Sequence, residues 1–487
     1  MIFVTFLFTL IGLIVRNIHL SRILFYDWDE AMYAQIAKEI IKNKSLFTTF
    51  NGQIWLDKPP LAHALVAFVF TTIGQSEFWA RMIMVIISFL LLILTYQATK
   101  KIFLILKPKA TKQEFIMGTL IPTLLLAASP IFIERSALIN SDTLIAVAWI
   151  GYLLYSNTFW AKLFFLTLGV WSKSVMGFYP MLFDAGAWIL QKKKITISKI
   201  KKFFLFISIP SLWYVAGIIK YGNAFIYHHF LSQVLKRITV PIELHFGDKF
   251  YYISFLWEKM GFMNILFIIS YLLYFLYLIR VLVKDHRAFF TKKNLFVLTF
   301  MLAPFPFFAF LTIMKTKIYW YVIMFFPFMC ISLVYLYTSL KNRLLQKILF
   351  IGIVVYFVFS FIQQTYLAKV NYSPPDRLKL AQCIANTQYD RVAFLVNEEE
   401  RKVRNVLEAA HYDTTSSFYY GGSPAFVFYV KKKVDYFYSI DEFVKKSSAY
   451  SILVASKSDV DANMLVKSVF SKKHIICEYG DWLSIIQ

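Results

Sequence analysis

The chain has 487 residues, 59% of them hydrophobic and only 16% charged, with a mean hydropathy of +0.58 and a formal net charge of +24. That apolar excess excludes an ordinary soluble domain. It also removes nucleic acid as the reading of the positive charge, because basic residues of membrane proteins gather in cytoplasmic loops and face anionic headgroups. The 51 Phe and 30 Tyr suit lipid-facing helix surfaces and interfacial belts.

The first apolar segment, Met1–Leu20, lacks a basic leader and a small-residue cleavage site, so it reads as a retained span. Eleven spans are expected, near 3–24, 78–98, 115–133, 139–156, 159–172, 175–190, 203–220, 261–282, 294–314, 318–338 and 345–364. Each needs about 20 apolar residues. With a cytoplasmic N-terminus, the inner loops carry Lys100, Lys101, Lys107, Lys109 and Lys112. Next come Lys192, Lys193, Lys194, Lys199, Lys201 and Lys202, then Arg280, Lys284, Arg287, Lys292 and Lys293, and finally Lys341, Arg343 and Lys347. The other loops are mixed in charge, with Asp27, Asp29, Glu30, Asp57, Lys58 and Glu77 in one, and Lys236, Arg237, Glu243, Asp248 and Lys249 in another. This asymmetry places the loops 25–77 and 221–260 and the tail on the extracytoplasmic side of the inner (cytoplasmic) membrane.

Two domains are expected: a membrane-spanning one over 1–365 and a small α/β domain over 371–487. Pro374 and Pro375 open the tail. Short β-like runs, Arg391–Val396 and Ser451–Ala455, then alternate with amphipathic stretches such as Asp376–Ala385. Cys383 and Cys477 could pair if the tail is extracytoplasmic, though their spacing does not require it, and Cys330 lies in an apolar run.

The first outer loop begins YDWDEAMYAQIAKEIIK. From Asp29 on, Tyr33, Ile36, Ala37, Ile40 and Ile41 share a helical face, which predicts a short interfacial helix. Asp27, Asp29 and Glu30 crowd its start. Asp27 with Glu30 has the spacing of a capping box, but one cap does not use three acids, and a carboxylate at the mouth of a membrane cavity is a functional candidate. In WLDKPP, Lys58 stands before two prolines that fix the backbone. It is read as a phosphate ligand beside Asp57, or as half of a surface ion pair.

Asp142 sits at the outer mouth of the fourth expected span, after Glu134, Arg135 and Asn140, where a helix N-cap is the plain reading. Lys173, Lys315 and Lys317 sit at other outer ends, as anchors or as anion ligands. His228, His229 and His245 lie in a later outer loop, but adjacent histidines do not face the same way on a helix and make a poor metal pair. Acids, lysines and histidines thus converge on one side. That suits an enzyme whose lysines stabilise a phosphate leaving group while an acid deprotonates an acceptor. The competing reading, a transporter or flippase with an outer regulatory domain, predicts paired mid-span charges, and few occur.

These motifs resemble the GT-C glycosyltransferases, in the branch containing bacterial aminoarabinose transferase and protein O-mannosyltransferases (families 39 and 83). The matching elements are Asp29-Glu30-Ala31-Met32-Tyr33-Ala34, Lys58-Pro59-Pro60, Ser76-Glu77-Phe78-Trp79-Ala80-Arg81, Ser141-Asp142, Ser172-Lys173-Ser174, His228-His229 and Lys315-Thr316-Lys317-Ile318-Tyr319-Trp320-Tyr321. Met32 stands where the aminoarabinose branch has Arg, Asp57 where it has Glu, and Ser174 where it has Gly. The resemblance implies a polytopic α-helical membrane protein of about eleven to thirteen spans with a small extracytoplasmic α/β domain. It implies inverting transfer from a polyprenyl-phosphate sugar to a lipid (lipid A-like), glycan or protein acceptor. Asp29, Glu30 and Asp142 carry over as catalytic acids. Tyr33, Lys58, Arg81, Lys173, Lys315, Lys317 and Tyr321 carry over as substrate-binding residues. No cofactor is required, although Asp57 with His229 could hold a zinc ion.

Overall fold

A computed structural model of the chain describes residues 1–191, 196–241, 245–284, 291–367, 372–409, 422–471 and 473–486. The charges read at Lys192, Lys193, Lys194, Glu243 and Arg287 lie outside the described residues, as do the side chains of Lys199 and Lys284.

The chain opens with α1 (Ile2–Leu20). The first loop holds α2 (Asp29–Asn43), a hairpin of β1 (Thr49–Phe50) and β2 (Gln53–Ile54), and α3 (Leu61–Thr72). Then come α4 (Glu77–Leu106), α5 (Lys112–Ala128), α6 (Pro130–Ala137), α7 (Asp142–Leu154), α8 (Phe159–Lys173), α9 (Met181–Leu190) and α10 (Ile197–Tyr221). A π-helical segment, Ile226–Lys236, leads to α11 (Tyr251–Met260), α12 (Met263–Lys284), α13 (Lys292–Leu302), α14 (Pro304–Ile313), α15 (Val322–Ser339) and α16 (Arg343–Thr365).

Among the described residues, seven stretches are long and apolar enough to cross a membrane: α1, α4, most of α10, most of α12, Lys292–Ile313, Tyr319–Ser339 and α16. Helices α5 and α6 meet at 64° and would form an eighth as one bent span. The bend has a local cause. Pro130 has no N–H to continue α5, and Ser129 instead caps the new helix by accepting from Phe132 N.

The count differs from the eleven read in sequence. The segments at 139–156, 159–172 and 175–190 become α7, α8 and α9, of 13, 15 and 10 residues. Thirteen residues rise about 20 Å, short of a ~30 Å hydrocarbon core. Every residue of α7 is buried, so its apolar sequence serves packing between helices. A helix apolar on all faces looks the same in sequence whether lipid or protein surrounds it.

The tail adds α17 (Asp376–Ala385), α18 (Glu398–Ala409) and α19 (Pro424–Val430) to a five-stranded sheet. The strands are β3 (Arg391–Leu395), β4 (Lys433–Phe437), β5 (Ile452–Ser456), β6 (Ile475–Tyr479) and β7 (Trp482–Ile486), in the order β4-β3-β5-β7-β6. β3 runs parallel to β4 and β5, and β7 antiparallel to β5 and β6. The continuous apolar runs of β3 and β5 fit strands covered on both faces. Cys383 and Cys477 are disulfide-bonded and tie α17 to β6.

Two local devices set the loop geometry. Arg81 on α4 is fully buried and grips Glu30 on α2 with both arms, Nε to Oε1 at 3.0 Å and Nη2 to Oε2 at 2.6 Å. Its Nη1 donates to the carbonyls of Leu20 and Ile23, and Glu30 also accepts from the backbone N–H of Tyr26 and of Ile139. Four chain segments therefore meet at one ion pair. The second device is the end of α8. Ser174 has φ 59° and ψ −143°, a conformation that typically costs a non-glycine residue about 1–3 kcal/mol. Gly177 follows, packed so closely on the Gly169–Val170 backbone that a side chain there would displace it. The Ser174 hydroxyl lies 2.8 Å from His229 Nε2, and His229 Nδ1 lies 2.8 Å from the Leu56 carbonyl. The carbonyl can only accept, so Nδ1 carries the proton and the serine donates to Nε2.

Arg81→Met should strand the Glu30 carboxylate and destabilise the protein by about 3–5 kcal/mol, read as a fall in thermal midpoint of the detergent-solubilised chain. The double change with Glu30→Gln should recover part of that fall. Ser174→Ala keeps the strained backbone and loses the hydrogen bond, so its midpoint should fall below that of Ser174→Gly, which relieves the strain.

Candidate active site

The two devices border a cavity of about 760 Å³. Asp29, Glu30, Asp57, Lys58, Asp142, Lys173, His229 and Tyr321 all line it, although they are spread over most of the helical region. Tyr33, Arg81, Lys315 and Lys317 are not among its lining residues.

One pole is built from the first loop. Asp29 opens α2, and Lys58 follows the β1–β2 hairpin, held in place by the Pro59–Pro60 backbone. The Lys58 ammonium lies 3.4 Å from Asp29 Oδ1 and donates to the Tyr33 hydroxyl at 3.0 Å. Burial pulls the Asp29 pKa upward, but Lys58, Arg135 and Lys173 together outweigh it and hold the carboxyl below its ordinary value. Burial likewise pulls Lys58 down, and the Asp29 charge and the Tyr33 hydroxyl reverse it, leaving Lys58 raised. Both groups are therefore charged at neutral pH.

The other pole is Asp142, at the start of α7. Lys173, at the end of α8, forms an ion pair with its Oδ1. Arg135 Nη2 lies 3.5 Å from its Oδ2. The Lys173 ammonium stands 3.8 Å above the Tyr321 ring, and Arg135 lies 5.4 Å from the Trp320 ring. Asp142 does not cap its helix with its side chain. Arg135 is 4% exposed, and among the described residues nothing accepts a hydrogen bond from its Nε.

Several sequence expectations change. Glu30 touches the cavity but commits both oxygens to Arg81 and two backbone N–H groups, and Arg81 is not among the lining residues. The Lys317 ammonium is buried and donates to the carbonyls of Leu311 and Thr312, at the end of α14. Lys315 is exposed, and its backbone N–H donates to Ile238. Tyr33 stands behind Lys58, accepting its hydrogen bond from outside the cavity lining. The zinc reading finds no support in the donor set. His229 has both ring nitrogens engaged, by the Ser174 hydroxyl and the Leu56 carbonyl. Asp57 accepts from Gln233 at 3.0 Å. No group of three metal-binding side chains occurs among the described residues.

Arg135 was passed over in sequence as one charge in a row of polar residues. Its signal was a cation seven positions before Asp142, at the end of a Pro-initiated helix. Gln233 and Arg237 were also missed as a relay: Arg237 Nε donates to Gln233, which donates to Asp57. Met32 lines the cavity where the aminoarabinose branch has Arg.

No family model matches the chain. Two uncharacterized proteins of Aquifex aeolicus (strain VF5) match it, at 25% identity over 204 residues and 24% over 317 residues, or 42% and 62% of this chain. The matched regions cover 46% and 58% of those proteins, so the chain spans about half the length of the curated relatives it matches. Among solved structures, ArnT from Cupriavidus metallidurans bound to undecaprenyl phosphate superposes with a TM-score of 0.68, and its apo state with 0.66. Both share 12% identity, over 99% of this chain and 97% of theirs. Identity that low carries fold rather than activity. The chain is accordingly a multi-pass helical membrane protein with an ArnT-like fold.

Proposed function

We propose that the protein is an integral-membrane glycosyltransferase. It takes a sugar from a polyprenyl-phosphate carrier and passes it, with inversion, to an acceptor on a lipid, glycan or protein at the extracytoplasmic face. The observation that carries this reading is the convergence of Lys58, Arg135 and Lys173 on two carboxylates inside one cavity. Three cations with spare donor capacity suit a phosphate that becomes a leaving group. The undecaprenyl phosphate seen in ArnT supports the same donor class here. The disulfide between Cys383 and Cys477 supports an oxidising, extracytoplasmic setting for the tail.

The two acids differ in what they are free to do. Asp142 is 4% exposed and held by Lys173 and Arg135, so it orients the cations. Asp29 is 39% exposed and meets Lys58 at the longer distance of 3.4 Å. We assign Asp29 as general base. The acceptor oxygen attacks the anomeric carbon as the bond from that carbon to the phosphate oxygen breaks. The acceptor proton passes to Asp29, and the bonding pair leaves with the polyprenyl phosphate, whose growing charge Lys58, Lys173 and Arg135 stabilise.

The purified chain should transfer label from a radiolabelled polyprenyl-phosphate sugar to membrane acceptors. Asp29→Asn should lower that rate about 10²–10⁴-fold with its thermal midpoint retained. Full activity in that variant would remove the base assignment.

The pH dependence follows from the same charges. A base must be deprotonated, and Lys58, Arg135 and Lys173 keep Asp29 so to low pH. The acid limb of kcat/KM should therefore lie below the ordinary aspartate value of about 3.9. Lys58→Gln removes the largest opposing charge, so whatever activity remains should show that limb at higher pH.

A further inference from the structure

Asp27 stands two residues before Asp29 and belongs to none of the interactions above. Its spacing with Glu30 had suggested a capping box, yet α2 has no side-chain cap. Asp27 lines the cavity beside Asp29, and its carboxylate is taken up by the C-terminal region. Its Oδ2 accepts from the Ser423 hydroxyl at 2.7 Å, and its Oδ1 from the backbone N–H of Ala425 at 2.9 Å. The same Oδ1 accepts from Trp28 N–H at 3.1 Å. Ser423 is itself fixed, because its oxygen accepts from Phe426 N at the start of α19.

Between Asp27 and Asp29 lies Trp28, with φ 67° and ψ −109°. This left-handed turn in a non-glycine residue is what starts α2 with Asp29 at the cavity wall. One side of the turn is held by the helix, where Met32 N donates to the Trp28 carbonyl. The other side is held by Asp27. The rest of the loop is gripped by the same C-terminal elements. Tyr429 accepts from Phe25 N and donates to Glu77, Lys38 donates to the Phe428 carbonyl, and Asn51 exchanges two hydrogen bonds with Val434 on β4.

We infer that Asp27 is a positioning residue through which α19 of the C-terminal region sets the aim of Asp29. The sheet and its helices are thus part of the catalytic geometry, not only a cover over it. This rests on the reading of Asp29 as general base.

The test compares Asp27→Ala with Asn51→Ala in the full-length chain. Both cut contacts between the first loop and the C-terminal region, but only the first touches the turn before Asp29. Hydrogen exchange at the amides of Trp28–Met32 should quicken at least tenfold in Asp27→Ala and stay within twofold in Asn51→Ala. In sugar transfer, kcat should fall ten- to a hundredfold in Asp27→Ala with donor KM within twofold, and Asp27→Asn, which keeps an acceptor oxygen, should recover part of it. Unchanged exchange at Trp28–Met32, or a kcat no lower than that of Asn51→Ala, overturns the inference. Faster exchange in a chain whose wild type transfers no sugar overturns the general-base reading and keeps Asp27 as the anchor of the turn.

Discussion

A guanidinium and a carboxylate taken out of water are tolerated only when each meets the other in good geometry and the remaining donors and acceptors are filled. Arg81 and Glu30 satisfy that condition through each other and the further partners Leu20, Ile23, Tyr26 and Ile139, so that four segments meet there. The end of α1, the start of α2, the top of α4 and the link from α6 to α7 cannot move independently while the pair holds. Asp29 opens α2 and Asp142 opens α7, at or directly after two of those segments. The pair therefore sets the frame within which Asp29 and Asp142 face the same space.

Inside that frame the electrostatics are uneven. Asp142 is saturated by two cations and nearly buried, while Asp29 shares one lysine and remains partly open. A carboxylate that is ionised, weakly held and open to the cavity can take a proton. One that is fully paired serves better to hold cations in place. The same logic separates the lysines. Lys58 and Lys173 keep their ammonium groups at the cavity wall, whereas Lys317 satisfies the last carbonyls of α14. Helix ends leave four carbonyls without intrahelical partners, and a lysine close by is a ready donor for them.

Much of this was legible in the chain. Hydropathy gave the membrane class, and the alternation of β-like and amphipathic runs gave the α/β character of the tail. The acidic opening of α2 and the Lys-Pro-Pro element pointed to Asp29 and Lys58, because three acids exceed what one helix cap uses. The errors share a physical origin. Helix α7 is apolar because protein surrounds it, whereas α8 and α9 expose apolar side chains and are set apart by their length alone, and hydropathy does not separate protein from lipid. The Asp27–Glu30 spacing matched a capping box, but each carboxylate found a stronger partner far away in sequence, Ser423 and Ala425 for one and Arg81 for the other. His229 looked like a ligand until its two nitrogens were seen to be spent on Ser174 and Leu56.

The amino-acid sequence by itself determined the solvent of this protein and the types of charge it carries beside the membrane. Those follow from residue transfer energies and local periodicity, which act within a few turns of chain. Tertiary structure alone decided which charges meet. Arg135 and Lys173 both reach Asp142 because α6 and α7 pack on α4 while α8 packs on α7, and Asp27 reaches α19 across most of the chain's length. Pairings of that range depend on packing geometry rather than on spacing, so no local pattern announces them.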